Sequence, residues 1–222
     1  MNVYVVVVAT TANATWEWAD SPGSGRAPPG AGGLPRERVG SPGGGWDPRG
    51  MAGIAVRASV PEDAEAVERL RIAGWQTAYR GIIPDDYLDG LLVNVTRRRR
   101  HLAELPADIS NSVAVADGAA VGWIACGPCR DPDRIGLRYG EIFACYVHPG
   151  WWRNGVGRLL MDRAIEELVQ AGRDDISLWV LEANDRARRF YATVGFRPDG
   201  ARMLRDFGVP VAEVRYRRAD AS

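Results

Sequence analysis

One segment, residues 139–169, constrains the fold of this chain more than any other. It opens with a short apolar run that ends at His148-Pro149-Gly150, a pattern typical of a buried strand followed by a turn. Leucine, alanine and valine residues then recur at helical spacing with acidic and basic residues between them, which predicts an amphipathic helix. The segment therefore predicts a strand, a turn and a helix in immediate succession.

Two glycines, Gly155 and Gly157, lie where the predicted helix begins. The first amides of a helix have no intrahelical acceptor, and the helix dipole places positive charge there. Because glycine has no Cβ, the oxygens of a phosphate can approach these amides closely. We therefore expect an anion-binding turn, although a Gly-x-Gly pair before a helix also occurs as an ordinary turn. Neither a dinucleotide-binding motif nor a P-loop fits, because a third glycine at the required spacing is missing and the chain contains no lysine.

The turn resembles the acetyl-coenzyme A motif of the GNAT superfamily of N-acetyltransferases, in which glutamine or arginine precedes x-x-Gly-x-Gly/Ala. The matching run is Trp152-Arg153-Asn154-Gly155-Val156-Gly157, with Trp152 in place of the usual Gln or Arg. This departure removes one side-chain contact with the pyrophosphate, which Arg153 or Arg158 would replace. Backbone amides would still hold most of the group.

A second block, residues 178–196, resembles the strand, loop and helix that close the cofactor site in the same family. The recurring residues of that block are all present, as Asn184, Ala187, Tyr191 and Gly195-Phe196. Asn184 is also a suitable helix N-cap, and Gly195 is a suitable C-terminal stop. Two motifs in the correct order are much harder to obtain by chance than either one alone.

The resemblance covers about residues 54–216, where predicted helices and strands alternate. It implies an α/β fold with a mixed central sheet, antiparallel hairpins at both ends, a parallel pair of strands splayed at the cofactor site, and helices on both faces. Besides the central motif, the pattern predicts strands at 54–58, 112–116, 120–125, 176–180, 201–204 and 209–216, and helices at 64–75, after 84, near 95–105 and from 184.

The first fifty residues differ from the rest of the chain. Thirty residues, 21–50, contain ten glycines and six prolines, a composition that cannot supply a packed core. We therefore expect a disordered Gly/Pro-rich extension over residues 1–50 and one acetyltransferase domain over residues 51–222. Met51 directly precedes the first predicted strand, so a start codon assigned too far upstream would also produce this pattern.

The charge balance argues against several classes of partner. Basic and acidic residues number 28 each, which gives no electrostatic case for nucleic acid or for an anionic membrane. No apolar stretch approaches the roughly 20 residues needed to span a bilayer, and we expect a cytoplasmic protein. No metal site is expected, because Cys145, His101 and His148 are scattered along the sequence. A homodimer is a reasonable default.

For a member of this family the resemblance implies direct transfer of acetyl from acetyl-CoA to a primary amine in a ternary complex. Glu141 is the candidate base, because it stands where some relatives carry a catalytic glutamate. As a strand residue it would share a face with Phe143, Cys145 and Val147, and burial would raise its pKa. The alternatives are Glu182, a water molecule, or a Glu141 that merely pairs with Arg138.

Tyr191 is the candidate acid, since it lies two helical turns after Asn184 and would protonate the departing thiolate. A core aromatic is the alternative. The resemblance also implies cofactor contacts from the backbone of Cys145, Tyr146 and Val147, from Arg153, Asn154, Gly155, Val156, Gly157 and Arg158, and from Asn184. On the acceptor side Trp75 and Tyr79 would line the pocket of a small-molecule or peptide amine, or merely pack.

Two other functions stay open, a non-catalytic coenzyme A-binding regulatory module and a thiol oxidoreductase. The second rests on Cys126-Gly127-Pro128-Cys129, which is similar to the thioredoxin dithiol. Such dithiols use a helix N-terminus to lower the thiol pKa. Here Pro132 discourages a following helix, so we expect the two cysteines in a loop after a hairpin strand.

Overall fold

The structure is a computed structural model, and it describes residues 6–8 and 53–219. The described strands are β1 (Val6–Val8), β2 (Ile54–Ala58), β3 (Ser110–Ala116), β4 (Ala119–Pro128), β5 (Tyr139–Val147), β6 (Asp175–Leu181), β7 (Arg197–Asp206) and β8 (Pro210–Ala219). The described α-helices are α1 (Ala64–Ala78), α2 (Asp85–Asp89), α3 (Val95–Ala103), α4 (Val156–Gln170) and α5 (Asp185–Thr193).

The strands form one mixed sheet in the order β2-β3-β4-β5-β6-β8-β7, with β1 paired to β5 off this path. Among the described pairs, β5 and β6 are parallel and the others are antiparallel. Helix α4 makes the crossover between the two parallel strands, as such a connection requires. The predicted mixed sheet, with antiparallel hairpins at both ends and a central parallel pair, is confirmed.

The parallel pair separates soon after it begins. β5 and β6 pair only at residues 139–141 and 175–177. Farther along β5, residues 144–146 pair instead with the three residues of β1. The predicted splay between the two parallel strands is confirmed, and β1 lies along the edge of β5 that the splay exposes.

Apolar side chains cover both faces of the sheet. One buried cluster joins the sheet to α4 and α5 and includes Leu160, Leu178 and Phe190. The other joins the sheet to α1 and α2 and includes Leu70 and Leu88. The prediction of helices on both faces is therefore confirmed, and each face of the splay opens toward a different set of helices.

A β-bulge interrupts the pairing of β4 with β5 next to Phe143. A bulge inserts one extra residue into a strand and so reverses the alternation of side chains beyond it. As a result Phe143 packs in the cluster on the α1 side, whereas Cys145 and Val147 pack in the cluster on the α4 side. The predicted shared face of Glu141, Phe143, Cys145 and Val147 is therefore wrong beyond Phe143.

Several element boundaries differ from those predicted. β4 continues three residues past the predicted end and so includes Cys126, and β7 begins at Arg197 rather than at 201. Helix α3 ends at Ala103, two residues before the predicted end. The strands are longer because pairing with a neighbour overrides weak local propensity. β7, for example, pairs with β8 at Arg197 and Pro198 and, after a shift in register, from Arg202 to Asp206.

Most of the expected N-terminal extension lies outside the described residues, which include only β1 from it. The boundary near residue 51 stays a prediction. Within residues 6–8 and 53–219, no helix combines the length and the apolar character needed to cross a membrane.

Candidate functional site

The turn before α4 has the geometry of an anion site. Gly155 caps the helix with φ 79°, a left-handed conformation that suits glycine, and Arg153 also has a positive φ of 70°. The N–H of Leu159 donates to the carbonyl of Gly155 at 3.0 Å. Because that is the first backward bond of the helix, the three preceding amides, at residues 156–158, have no helical acceptor. The predicted turn is thus present with its amides available.

Trp152, the departure from the motif, ties this turn to the sheet. Its indole Nε1 donates to the Val147 carbonyl at 2.7 Å, at the end of β5. The guanidinium carbon of Arg186 in α5 lies 5.6 Å from the centroid of the Trp152 ring. Arg158, by contrast, is engaged with Asp162 at 2.8 Å. Arg186 is therefore the positive side chain that lies against Trp152 at this turn. The sequence analysis missed Arg186, whose one signal in the sequence was its position two residues after Asn184.

Tyr191 of α5 is fully buried, and its neighbours include Cys145 of β5. Its hydroxyl has no hydrogen-bond partner in the part of the chain that the structure describes. Burial raises the pKa of this hydroxyl well above its ordinary value, and the nearby Cys145, Tyr79 and Tyr146 add to the increase. Buried polar groups are rarely left without a partner, so this hydroxyl is a candidate contact for a ligand.

Asn184 presents a second buried group without a partner. Its side-chain oxygen caps α5 by accepting the N–H of Ala187 at 3.1 Å, as predicted. Its amide nitrogen Nδ2 is buried and has no hydrogen-bond partner among the described residues. The cap fixes the side chain so that one donor remains available where α5 begins.

The exposed edge of β5 carries three of the predicted backbone contacts, Cys145, Tyr146 and Val147. Two of these, Cys145 and Tyr146, are the register partners of Val7 and Val6 in β1. An extended ligand that hydrogen-bonds to the same edge would occupy the position of β1. β1 and such a ligand therefore cannot occupy this edge of β5 at the same time.

Glu141 is fully buried and bound to Arg130. The backbone N–H and Nε of Arg130 donate to one carboxylate oxygen at 3.0 and 3.1 Å, and Nη2 donates to the other at 2.7 Å. The guanidinium also lies 4.1 Å from the centroid of the Phe143 ring. The alternative partner Arg138 pairs instead with Asp174, at 3.3 Å. Both oxygens of Glu141 are thus engaged, and three of the roughly four acceptor positions of the carboxylate are occupied, which leaves little capacity for direct proton abstraction.

Glu182, the second sequence candidate for the base, lies at the surface. Its carboxylate pairs with Arg202 at 2.9 Å, and this hydrogen bond lowers its pKa. A lowered pKa makes the carboxylate a weaker proton acceptor. The surface position of Glu182 and its lowered pKa both argue against Glu182 as the general base.

A third carboxyl group, Glu213 in β8, was missed by the sequence analysis. It is fully buried, and one of its oxygens, Oε2, accepts a hydrogen bond from Arg205 Nε at 3.1 Å. The other oxygen, Oε1, is buried and has no hydrogen-bond partner among the described residues. Burial raises the pKa of Glu213 to about 7, the charge of Glu141 adds to the increase, and Arg205 opposes it. The available signal was alternation along β8, because Val211, two residues earlier, faces the core.

The two predicted acceptor-side residues lie at the C-terminal end of α1. Trp75 is 3% exposed and Tyr79 is 0% exposed, and their rings meet edge to face at 5.4 Å. The indole of Trp75 donates to the hydroxyl of Tyr146 at 3.4 Å. Both side chains pack in the cluster on the α1 side. A role in lining an acceptor pocket stays a prediction.

The structure also bears on the Cys-x-x-Cys sequence. Cys126 lies within β4, so its predicted position in a loop is wrong, whereas Cys129 directly follows that strand. Both thiols are free. Burial raises the pKa of Cys126 to about 12 and also raises that of Cys129. Redox dithiols depend on a lowered pKa at a helix start, and this pair has neither feature.

The fold and the turn agree with what is known of other proteins. Residues 75–196 match the Acetyltransferase (GNAT) family. A probable N-acetyltransferase of Mycobacterium tuberculosis is 30% identical over 178 residues, which cover 74% of this chain and 92% of that protein. An uncharacterized N-acetyltransferase of Bacillus subtilis is 31% identical over 134 residues, which cover 59% of this chain and 73% of the relative.

Solved structures show the same fold. The PaiA N-acetyltransferase from Thermoplasma acidophilum, in complex with coenzyme A, has a TM-score of 0.57 at 21% identity and covers 75% of this chain and 98% of that one. The yncA structure from Salmonella typhimurium, with its cofactor acetyl-CoA, has a TM-score of 0.59 at 20% identity and covers 75% of this chain and 94% of that one. With the family match extending over more than half of its length, this chain belongs to the GNAT family and is an N-acetyltransferase.

Proposed function

We propose that the protein transfers the acetyl group of acetyl-CoA directly to a primary amine while both substrates are bound. The observation that carries this proposal is the pair of buried, unpartnered groups on α5 and at its N-cap, the Tyr191 hydroxyl and the Asn184 amide nitrogen. Tyr191 is near Cys145 of β5 and Asn184 closely follows β6, so a thioester bound between these two strands would supply the missing partners. The structures of relatives with coenzyme A and acetyl-CoA support the same donor.

On the donor side, the amides at 156–158 would hold the pyrophosphate, with Arg186 close to them. Arg153 and Asn154 complete the turn. Asn184 would contact the pantetheine or the thiol end, and the β5 backbone at residues 145–147 would pair with the pantetheine amides once β1 has left that edge. These groups fit the donor because the amides and Arg186 suit an anion, whereas Asn184 offers a neutral donor.

On the catalytic side, Tyr191 would donate its proton to the departing thiolate. The ordinary pKa of a tyrosine is about 10, so the hydroxyl is protonated at neutral pH and has a proton to give, and burial raises that pKa further. The proton of the amine must leave to a base, for which the sequence indicates Glu141, acting directly or through water. Given the hydrogen bonds from Arg130, water is the simpler route for Glu141.

The acceptor would be a small-molecule or peptide amine that enters on the α1 side, near Trp75 and Tyr79. A purely regulatory, non-catalytic module is a weaker reading, because it gives no role to the buried, unpartnered hydroxyl of Tyr191.

The proposal is tested by a screen of primary amines with acetyl-CoA, read out as release of free thiol. We expect acetyl-CoA, but not NAD or ATP, to raise the thermal midpoint of the protein, because a ligand that binds only the folded state stabilises it. At least one amine should release thiol at a rate above that of hydrolysis. If acetyl-CoA neither stabilises the protein nor releases thiol with any amine, the proposal is wrong.

A further inference from the structure

We propose that Glu213 is the group that takes the proton from the acceptor amine, and that Glu141 serves as its charged, ion-paired neighbour. This inference rests on the proposed acetyl transfer and deepens one step of it, because it assigns the amine proton to Glu213 in place of Glu141. The inference depends on which of the two buried carboxylates, Glu141 or Glu213, has an oxygen available to a substrate.

The two carboxylates differ in how they are partnered. Arg130 supplies three hydrogen bonds to Glu141 and engages both of its oxygens. Arg205 supplies one hydrogen bond to Glu213, and the oxygen Oε1 remains buried without a partner among the described residues. A carboxylate oxygen in that condition is expected where a ligand supplies the donor. An amine on the α1 side carries N–H groups that suit this oxygen.

The position of Glu213 places it at the splay. In the pairing of β8 with β6, Glu213 lies opposite Leu181, four residues beyond the point where β6 last pairs with β5. The carbonyl of Leu181 accepts the N–H of Asn184 at 2.9 Å, so the strand end beside Glu213 leads directly to a predicted donor contact. Leu181 and Val211 both pack on the α1 side, which puts Glu213 on the acceptor side of the sheet.

The charges around Glu213 connect it to the other candidate groups. Arg205 faces it from β7, Glu141 from β5 and Tyr79 from the end of α1. Burial raises the pKa of Tyr79 well above its ordinary value, and the nearby Tyr146 and Glu213 add to this increase. Tyr79 in turn adds to the raised pKa of Tyr191. Tyr79 is therefore close enough to interact with both the proposed proton acceptor and the proposed proton donor.

The pKa of Glu213, about 7, suits a base that works near neutral pH. Above that pH the group is a carboxylate and can receive a proton, whereas below it the group is already protonated. Arg205 moderates the increase but does not engage Oε1. The free oxygen and the pKa thus point to the same group.

The step balances as follows. The neutral amine attacks the thioester carbonyl, the new N–C bond forms, and one N–H proton passes to Oε1 of Glu213. The C–S bond then breaks with its electron pair on sulfur, and sulfur takes the proton of the Tyr191 hydroxyl. The proton on Glu213 returns to solvent and solvent reprotonates Tyr191, so that the net products are the amide and the free thiol of coenzyme A.

The test compares Glu213→Gln with wild type in the full-length protein, using the best amine from the screen at saturating acetyl-CoA. We expect kcat to fall about a hundredfold, a typical loss for a general base, while calorimetry shows unchanged acetyl-CoA affinity. Glu166→Gln removes an exposed carboxylate on α4 and should keep wild-type kcat. Glu141→Gln should lower kcat less than Glu213→Gln does.

The pH dependence supplies a readout that a purely structural role would not change. With the same amine, the kcat/KM of wild type should rise through about pH 7 and the kcat/KM of Glu213→Gln should lack that inflection. The more conservative variant Glu213→Asp should keep the inflection near pH 7. This variant replaces Glu213→Gln in the test if the glutamine variant does not fold.

Full kcat in Glu213→Gln together with a large loss in Glu141→Gln would overturn the inference and leave the acetyl transfer intact. The inference would also be overturned if the only inflection in the wild-type profile of kcat/KM against pH were that of the free amine. Failure of wild type to bind acetyl-CoA would instead overturn the proposed function itself.

Discussion

The proposed donor half and the proposed acceptor half of the site are built in different ways. The donor half consists of a turn and two helix starts, and within each helix start the capping residue and the backbone amides lie within a few residues along the chain. The proposed acceptor half brings together α1, β5, β6, β7 and β8. Its buried carboxylates, Glu141 and Glu213, pair with arginines of neighbouring segments that meet only when the strands pair. The comparison shows that a binding site made of backbone is local, whereas a site made of ionised side chains depends on tertiary pairing.

The largest effect should come from Tyr191→Phe, which removes only the hydroxyl proposed to protonate the thiolate. We expect kcat to fall by about 10²-fold or more, with acetyl-CoA affinity preserved. Tyr139→Phe is the matched control, because it removes a hydroxyl from a ring that lies under Arg134, away from the splay. Steady-state kinetics and calorimetry measure the two effects, and equal kcat in both variants would remove Tyr191 from the mechanism.

A smaller but still large effect should follow from Gly155→Ala in the donor turn. The left-handed conformation of Gly155, φ 79°, costs an alanine about 1–2 kcal/mol. Gly172→Ala imposes the same strain at φ 76°, in open space after α4. We expect both variants to lose similar stability in urea unfolding, while only Gly155→Ala loses acetyl-CoA affinity, by about tenfold, or about 1.4 kcal/mol. Equal affinities would mean that the turn does not bind the donor.

Arg186→Ala should weaken acetyl-CoA binding by severalfold, because the guanidinium stacked on Trp152 lies next to the predicted pyrophosphate site. Arg189→Ala, on the same helix and exposed, removes the same charge at another position and should have little effect. Calorimetry at low and high salt separates them, since a charge interaction with a phosphate weakens as salt rises. A similar loss of acetyl-CoA affinity in both variants would indicate a long-range effect of the positive charge on α5 rather than a contact between Arg186 and the pyrophosphate.

The smallest effect concerns β1. Since Val7 lies opposite Cys145 on the edge that the donor would use, Val7→Pro should disfavour β1 and raise the apparent acetyl-CoA affinity by about threefold. The increase is small because the competing strand has only three residues. Weaker binding in Val7→Pro would show that β1 supports the donor site and does not compete for it.

Much of the donor half could be predicted from the sequence because its determinants are local. The caps of α4 and α5, the left-handed glycine and the order of strand, turn and helix all follow from residues close together in the chain. The role of Trp152 could not be predicted in this way. Its contacts are with the end of β5 and with Arg186 of α5, which come together only after the sheet has formed.

The β-bulge at Phe143 shows a limit on predicting side-chain directions from the sequence, even within a single strand. Strict alternation predicts one face for Glu141, Phe143 and Cys145, yet one extra residue in the pairing with β4 turns Cys145 to the opposite face. Register across strands is a tertiary property, because it depends on the partner strand as much as on the strand itself.

The sequence by itself determined the family, the order of elements and the glycine turn before α4, since these depend on backbone conformation and on hydrophobic spacing over short distances. Only the tertiary structure decided which carboxylate is engaged and which is available. Glu141 meets Arg130 and Glu213 meets Arg205 through the folding of separate loops and strands. Burial then raises the pKa of Glu213, and burial exists only once the sheet and its helices have packed.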